Sequence, residues 1–424
     1  MKFKTLFFVG LFITSFTLVA QSEGDIERAQ KAAKKADKAF SKGAYQKSID
    51  FYTKAILYVP NLEFNYYERG LVYKRMGRFE EALADFDKAI IIDANSPHAY
   101  YERGLVHFEM KNYLKAIQDF DKQVLLNSDH IDCFRKKAAA LVKLNRFDEA
   151  ILVLDPVIFK YKNNSNDYVL RSLCYLNTGV LKESYSDMQA AIRLGDTTDE
   201  RYRVEAMLNL RLNKPKEAIH LLLKIVKTAP SVQNAHDQYL LSMAYMMTGN
   251  YTDAIGRINL AVSMNPIAEY FYDKGCFAAE NNDLELALAC YTKTIELDPT
   301  YSAAYNNRTF YIWLPRKEFA KAIEDLSAVI ALDSLDAYAY SNRSVAYFGL
   351  NQVEKGFLDA FKSIELEPRN PYPYKTLAFA YYDMKDEALA IEMAQEALSW
   401  SYPYKTDPEF VKLCELLKIE LPKN

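Results

Sequence analysis

The chain has 424 residues, half of them hydrophobic, with 32 Tyr, 24 Phe and only 13 Gly. So much apolar material excludes a disordered chain, and the scarcity of Gly and of turn clusters argues against an all-β one. A formal net charge of -3 offers no basic excess of the kind that nucleic acid or an anionic membrane surface attracts.

In chain order, Lys2 and Lys4 come first, followed by an uncharged apolar run from Leu6 to Val19 and a polar stretch from Gln21 to Arg28. A basic start, a short apolar core and the small Ala20 predict a signal peptide over 1–20, with a mature chain beginning near Gln21. The expected destination is therefore periplasmic, cell-envelope associated or secreted. An uncleaved anchor is the alternative, because Leu18 is large for its place before the cut. No later segment is apolar for long enough to span a bilayer. Five cysteines (Cys133, Cys174, Cys276, Cys290 and Cys414) show no CxxC spacing, and they are read as small buried or half-buried residues.

The sequence from Tyr66 to Val72 (YYERGLV) returns unchanged from Tyr100 to Val106, thirty-four residues later. Small residues recur in the same phase along the whole chain: Ser48, Ala82, Ala116, Ala150, Ser184, Ala218, Ala254, Ala287, Ala322, Gly356 and Ala390. A second small series runs twelve positions earlier, through Ala36, Gly70, Gly104, Ala138, Ser172, Ala206, Ser242, Gly275, Thr309, Ser344 and Ala378. Within each unit apolar residues are spaced three and four apart, which predicts two amphipathic helices crossing where the side chains are small. Prolines such as Pro60, Pro230, Pro266, Pro299 and Pro368 close several units.

These residues resemble the tetratricopeptide repeat family, whose pattern runs aromatic, Leu-Gly, Tyr, turn, Ala, aromatic, Ala, Pro; Tyr67 to Ala89 and Phe271 to Pro299 match it well. The resemblance implies an all-α fold, a right-handed superhelical solenoid of about eleven helix-turn-helix units. The units fall at 29–62, 63–96, 97–130, 131–164, 165–198, 199–232, 235–267, 268–301, 302–336, 337–370 and 371–404. Those at 165–198, 199–232 and 371–404 are degenerate, with Pro215 and Glu387 at the usual aromatic turn position, and are expected to depart from regular hairpin geometry. One extra residue is placed in the turn at Leu314–Lys317, and two near Val232–Asn234. The array is read as one solenoid bending in the region 196–234, with two independent solenoids as the alternative. Residues 405–424 are expected to form a capping helix, started by Asp407-Pro408-Glu409 and buried through Phe410, Leu413 and Leu417.

The resemblance also implies that the first helix of each unit lines a concave surface. Its second, fifth, ninth, twelfth and thirteenth positions give Tyr67, Leu71, Tyr101, Leu105 and Phe108. Further along they give Tyr239, Met243, Met246, Tyr272, Phe310, Trp313, Phe348, Phe379 and Tyr382. Aromatics and Met anchor interfaces well, so this groove is the expected site for an extended or helical peptide, although the same positions also pack between neighbouring units. Asn307-Arg308 and Asn342-Arg343 resemble the pair that clamps a chaperone C-terminal carboxylate. The partner positions carry Tyr272, Cys276, Tyr372 and Thr376 instead, so Arg69, Arg103, Arg308 and Arg343 are read as structural bridges.

No phosphate loop, nucleophile elbow or HExxH motif occurs, and His98, His107, His130, His220 and His236 never pair at ligand spacing. No catalytic residue, cofactor, metal or nucleic-acid partner is expected. The functional expectation is a non-catalytic scaffold or adaptor that binds a protein or peptide of unknown identity. The alternative is a self-associating structural component of an envelope or secreted assembly, a homo-oligomer built through the groove or the ends.

Overall fold

The computed structural model describes residues 22–226 and 232–422; the expected signal peptide lies outside them. The described residues form 23 α-helices and no strand. They divide into two compact units, one ending at Val204 and the other beginning at Glu205, so the division falls inside helix α11 (Asp199–Arg211).

In the first unit the helices pair as α1 (Glu23–Phe40) with α2 (Tyr45–Tyr58), α3 (Glu63–Arg75) with α4 (Phe79–Ile92), α5 (Pro97–Glu109) with α6 (Tyr113–Leu126), α7 (Ile131–Lys143) with α8 (Phe147–Lys160), and α9 (Ser165–Asn177) with α10 (Leu181–Arg193). After α12 (Pro215–Ile225), the second unit pairs α13 (Val232–Met247) with α14 (Tyr251–Met264), and α15 (Ala268–Glu280) with α16 (Leu284–Leu297). Next come α17 (Ser302–Arg308) with α18 (Phe319–Leu332), α19 (Ala337–Gly349) with α20 (Val353–Leu366), and α21 (Pro371–Asp383) with α22 (Glu387–Ser399), before α23 (Pro408–Leu416).

Each first helix is stopped by its own backbone. Gly77 adopts a φ of 72°, its amide bonds to the Lys74 carbonyl, and the Arg78 amide bonds back to the Tyr73 carbonyl at 2.9 Å. This is a Schellman ending, which needs a left-handed residue just past the helix. Gly, Asn or Lys supplies it in every pair, through to Lys385. The turn therefore does not depend on an aromatic. The units at 165–198 and 371–404, expected to be irregular, have helices of 13 and 13 residues like their neighbours. Pro215 simply occupies the first turn of α12, where no amide hydrogen is needed.

The two small series meet where the helices of a pair cross. Ala82, Ala116, Ala150, Ala254, Ala287, Ala322 and Ala390 are all fully buried. A Cβ added to Gly70 would stand 2.8 Å from the Phe86 ring, and one on Gly104 2.7 Å from Phe120. Serine fits the crossing by satisfying itself across it: the Ser172 hydroxyl donates to the Ser184 carbonyl at 2.9 Å and the Ser184 hydroxyl returns the bond at 2.9 Å.

A periodic polar ladder joins successive pairs. Arg69 grips the Asp85 carboxylate with two nitrogens, at 2.8 and 2.7 Å, and donates to Thr53 on the preceding pair at 2.9 Å. Arg103 does the same with Asp119 and Asp87, Arg171 with Asp187 and Asp155, Arg308 with Asp325 and Thr292, and Arg343 with Asp359 and Ser327. These arginines are structural, as the sequence reading holds for four of them. Burial works to lower the Arg103 guanidinium, but the bonds to Asp119 and Asp87 outweigh it and hold it charged. The forked aspartates Asp85, Asp119, Asp187, Asp325 and Asp359 are buried, so the fork must be complete.

The extra residue assigned to the turn at 314–317 lies instead inside the helix. Thr309–Trp313 forms a π-helical turn, with the Leu314 amide bonded five residues back to Thr309 at 3.0 Å. An insertion in a helix and one in the adjoining turn give the same sequence spacing, which is why the sequence did not separate them. The two extra residues of the preceding region lengthen α13, which has 16 residues.

The last helix among the described residues is α23. Asp407 accepts the Phe410 amide at 3.1 Å, the Tyr402 hydroxyl at 2.6 Å and Lys375 Nζ at 2.9 Å. Phe410, Leu413 and Leu417 are buried against Ala390, Ala394 and Ala397 of α22. Burial works to raise the Asp407 pKa, but these hydrogen bonds outweigh it and hold the carboxyl below its usual range.

Two predictions follow from these ion pairs. Arg103→Met strands the buried Asp119 and should destabilise its pair by about 3 kcal/mol, whereas Arg103→Met with Asp119→Leu should recover most of that loss; hydrogen exchange on α5 and α6 reads both. Because the folded pKa of Asp407 is depressed, its contribution is complete above the ordinary carboxylate pKa and disappears as pH falls through the folded value. Asp407→Asn should therefore loosen α23 by about 1 kcal/mol at pH 7 and match the parent in strong acid, as read from urea melts at both pH values.

Candidate protein-binding faces

Side chains on the first helix of each pair that are not consumed at the crossing form the candidate site. In the first unit Tyr67 and Leu71 flank Gly70 on α3, one turn apart. Tyr67 sits 6.0 Å from Phe86, and Tyr101 on α5 repeats the arrangement 6.1 Å from Phe120, with His130 edge-on at 4.5 Å. Phe108 meets Tyr113 edge-on at 5.3 Å, and Leu105 packs in the same cluster as Tyr101 and Phe108. All five expected residues of this unit are half-buried, with one side of each against the core and the other presented outward. Among them lie Glu68, whose pKa is raised by burial and then by Asp37, Glu63 and Glu102, and Lys74, which pairs with Glu102. Burial pushes the Tyr101 phenol up to about 12, so it is a neutral hydrogen-bonding group at any physiological pH.

In the second unit Tyr239 stacks on Tyr270 at 4.6 Å, and its hydroxyl donates to Asp273 Oδ2 at 2.7 Å. Burial raises the Asp273 pKa, an effect that the Tyr239 bond opposes. Met243 and Met246 pack over Ala254, Ile258 and Phe277. Tyr272 lies 4.9 Å from Tyr301 and accepts from Asn307 Nδ2 at 3.1 Å. The Asn307 amide is thus occupied within the chain rather than held open for a carboxylate. Phe310 is exposed, edge-on to Tyr311 at 5.1 Å. Phe348 and Phe379 line a cleft of about 400 Å³ with Lys375, Asn351 and Glu409, and Tyr382, half-buried, stands beside it with Lys385 5.7 Å over its ring.

Trp313 is a correction. It is only 7 % exposed, its indole Nε1 donates to Asp325 Oδ2 at 2.8 Å, and it packs with Ile312 and Ala322 in the core. The π-helical turn is the cause, because one extra residue rotates Trp313 off the outer face. Its carbonyl accepts from Glu318 as that of Tyr347 accepts from Gln352, and its ring lies beside Arg308 as the Tyr347 ring lies beside Arg343. Trp313 therefore stands beside the ladder, as Tyr347 does, with its ring turned into the core instead of presented on the groove face.

Sequence reasoning missed Arg171, Glu68, Asp273 and the Lys375–Glu409 cleft. Arg171 stands in the same phase as Arg69 and Arg103 and was legible there; the carboxylates and the cleft depend on packing between helices and left no local signal. Among the described residues no group of three His, Cys, Asp or Glu side chains is placed to hold a metal ion, and no helix is long and apolar enough to cross a membrane. The five cysteines are unpaired, and burial lifts the Cys133 and Cys174 thiols to about 12, far from a reactive thiolate. His107 is half-buried, and burial lowers its pKa.

Comparison with known proteins agrees with this architecture. The profile described as TPR repeat matches residues 70–111, and that described as tetratricopeptide repeat matches residues 97–130 and 268–301. A TPR repeat-containing protein of Methanocaldococcus jannaschii is 23% identical over 264 residues, 58% of this chain and 46% of that protein. Human RNA polymerase II-associated protein 3 is 29% identical over 135 residues, 32% of this chain and 18% of that protein. The chain thus spans about half the length of the first relative and less than a fifth of the second. Among solved structures, the Cut9–Hcn1 hetero-tetramer of the APC/C aligns at 12% identity and a TM-score of 0.47, over 92% of this chain and 96% of that one. On the matched segments and the paired helices, the chain carries tetratricopeptide repeats in each of its two units.

Proposed function

We propose that the chain is a non-catalytic scaffold whose first helices grip a protein or peptide partner in the cell envelope. Tetratricopeptide-repeat proteins generally bind protein partners, which is the coarse part of this reading. The observation that carries the finer part is the repeated placement of half-exposed aromatics and methionines on the first helices, anchored on one side by the core. Tyr67 and Tyr101 in the first unit, and Tyr239, Met243 and Tyr272 in the second, are of this kind. Side chains fixed in this way lose little further freedom on binding, so they suit an interface anchor. The envelope location rests on the N-terminal sequence, whose basic start and short apolar run have the form of an export signal.

Affinity capture from envelope extract tests the reading, with the parent beside a variant carrying Tyr67→Ser, Tyr101→Ser, Tyr239→Ser and Phe310→Ser. The expected result is one protein retained by the parent and lost by the variant, with circular dichroism showing the variant still helical. Equal capture by both would move binding off these faces.

A further inference from the structure

Four large apolar side chains in the first unit serve no core. Leu57, Ile91, Leu125 and Phe159 are 74, 74, 77 and 81 % exposed. They are spaced 34 residues apart and end the second helices α2, α4, α6 and α8. The period places one of them in the same position on each of four successive pairs, and the arginine ladder holds those pairs in a single register. Leu114 and Leu152, 60 and 71 % exposed, lie on the same outward side of α6 and α8. The row stops there: Arg193 follows Phe159 at the same spacing, and the second unit carries Glu296, Glu365 and Ser399 at the equivalent place. We propose that this row is a homodimer interface, in which the outer face of α2, α4, α6 and α8 packs against the same face of a second copy of the chain. It is independent of what the inner faces bind.

Three observations select that occupant. A large apolar side chain presents on the order of 150 Å², so the six residues expose roughly 650 Å², beyond what a monomer usually leaves bare and close to the roughly 800 Å² per partner of a stable interface. The period selects the partner, because a file of knobs with one per repeat interdigitates along its whole length only with a surface of the same repeat, which a second copy supplies by symmetry. The charges are self-complementary. Four residues before Ile91, Leu125 and Phe159 stand Asp87, Asp121 and Asp155, facing the next pair, where Arg103, Lys137 and Arg171 hold them, while Thr53 precedes Leu57. Three residues before Leu57, Ile91 and Leu125 stand Lys54, Lys88 and Lys122, with Pro156 before Phe159, on the opposite flank. The central gap, between Ile91 and Leu125, then holds an acid from one pair (Asp87) and a lysine from the next (Lys122), and a copy running antiparallel about that gap sets acid against lysine. The same acids disfavour an anionic membrane surface, which would need a basic excess.

Sedimentation velocity on the full chain from about 1 to about 100 µM, beside a variant with Ile91→Ser, Leu125→Ser and Phe159→Ser, tests the proposal. The parent should dimerise, and the variant should remain monomeric or dimerise at least about tenfold more weakly, with an unchanged melt at a concentration where both are monomeric, because the altered residues are exposed there. Lys88→Glu with Lys122→Glu should weaken the dimer without touching an apolar contact. A parent that stays monomeric throughout, one that instead floats with anionic vesicles, or a triple variant that dimerises like the parent would overturn it.

Discussion

Two helices can approach closely only where both carry small side chains, and that steric condition organises everything else in this chain. Gly70 opposite Ala82, Gly104 opposite Ala116 and Gly275 opposite Ala287 bring the helices of a pair so near that an added Cβ on any of the three glycines would strike an aromatic ring. The rings of Phe86, Phe120 and Tyr291 are thereby fixed in place, and they in turn support Tyr67, Tyr101 and Tyr272. The candidate binding faces are thus a consequence of the crossing: the small residues set the spacing, the buried aromatics fill it, and the next layer of aromatics is left half outside.

The arginine ladder solves a different problem. Apolar packing between successive pairs is tolerant of small shifts, whereas a bidentate fork onto a buried carboxylate with a second bond to the preceding pair is not. Arg69, Arg103 and Arg171 in the first unit, and Arg308 and Arg343 in the second, each hold two second helices at once. Lys137 makes only the backward half of the contact, to Asp121, because Val153 replaces the acid on its own pair. This use of the charges also explains why Arg308 and Arg343 are not available as a carboxylate clamp, however familiar the Asn-Arg dipeptide looks.

Periodicity made most of the helical architecture legible. The 34-residue recurrence located both helices of a pair and the residues at their crossing, because steric demand recurs exactly where the geometry does. Local consensus was a poorer guide: units lacking the usual turn aromatic were expected to be irregular, yet their turns are set by backbone bonds and a left-handed residue, which Asn and Lys supply as well as Gly. The π-helical turn at 309–313 was invisible, since spacing alone does not say where an inserted residue goes, and it turned the Trp313 ring from the groove face into the core. Thirteen of the fourteen residues assigned to the groove lie half-buried or exposed, but the carboxylates beside them, Glu68 and Asp273, emerged only from packing.

The account holds that the first helices contribute binding and the ladder contributes shape. Hydroxyl-radical footprinting of the chain alone and with its captured partner tests this most directly, since it reads side chains one at a time. Reactivity should fall at Tyr67, Tyr101, Met243, Met246 and Phe310 while Leu114 and Leu152 stay unchanged by the partner. Protection confined to the outer faces of the second helices, with those five side chains as reactive as before, would contradict it.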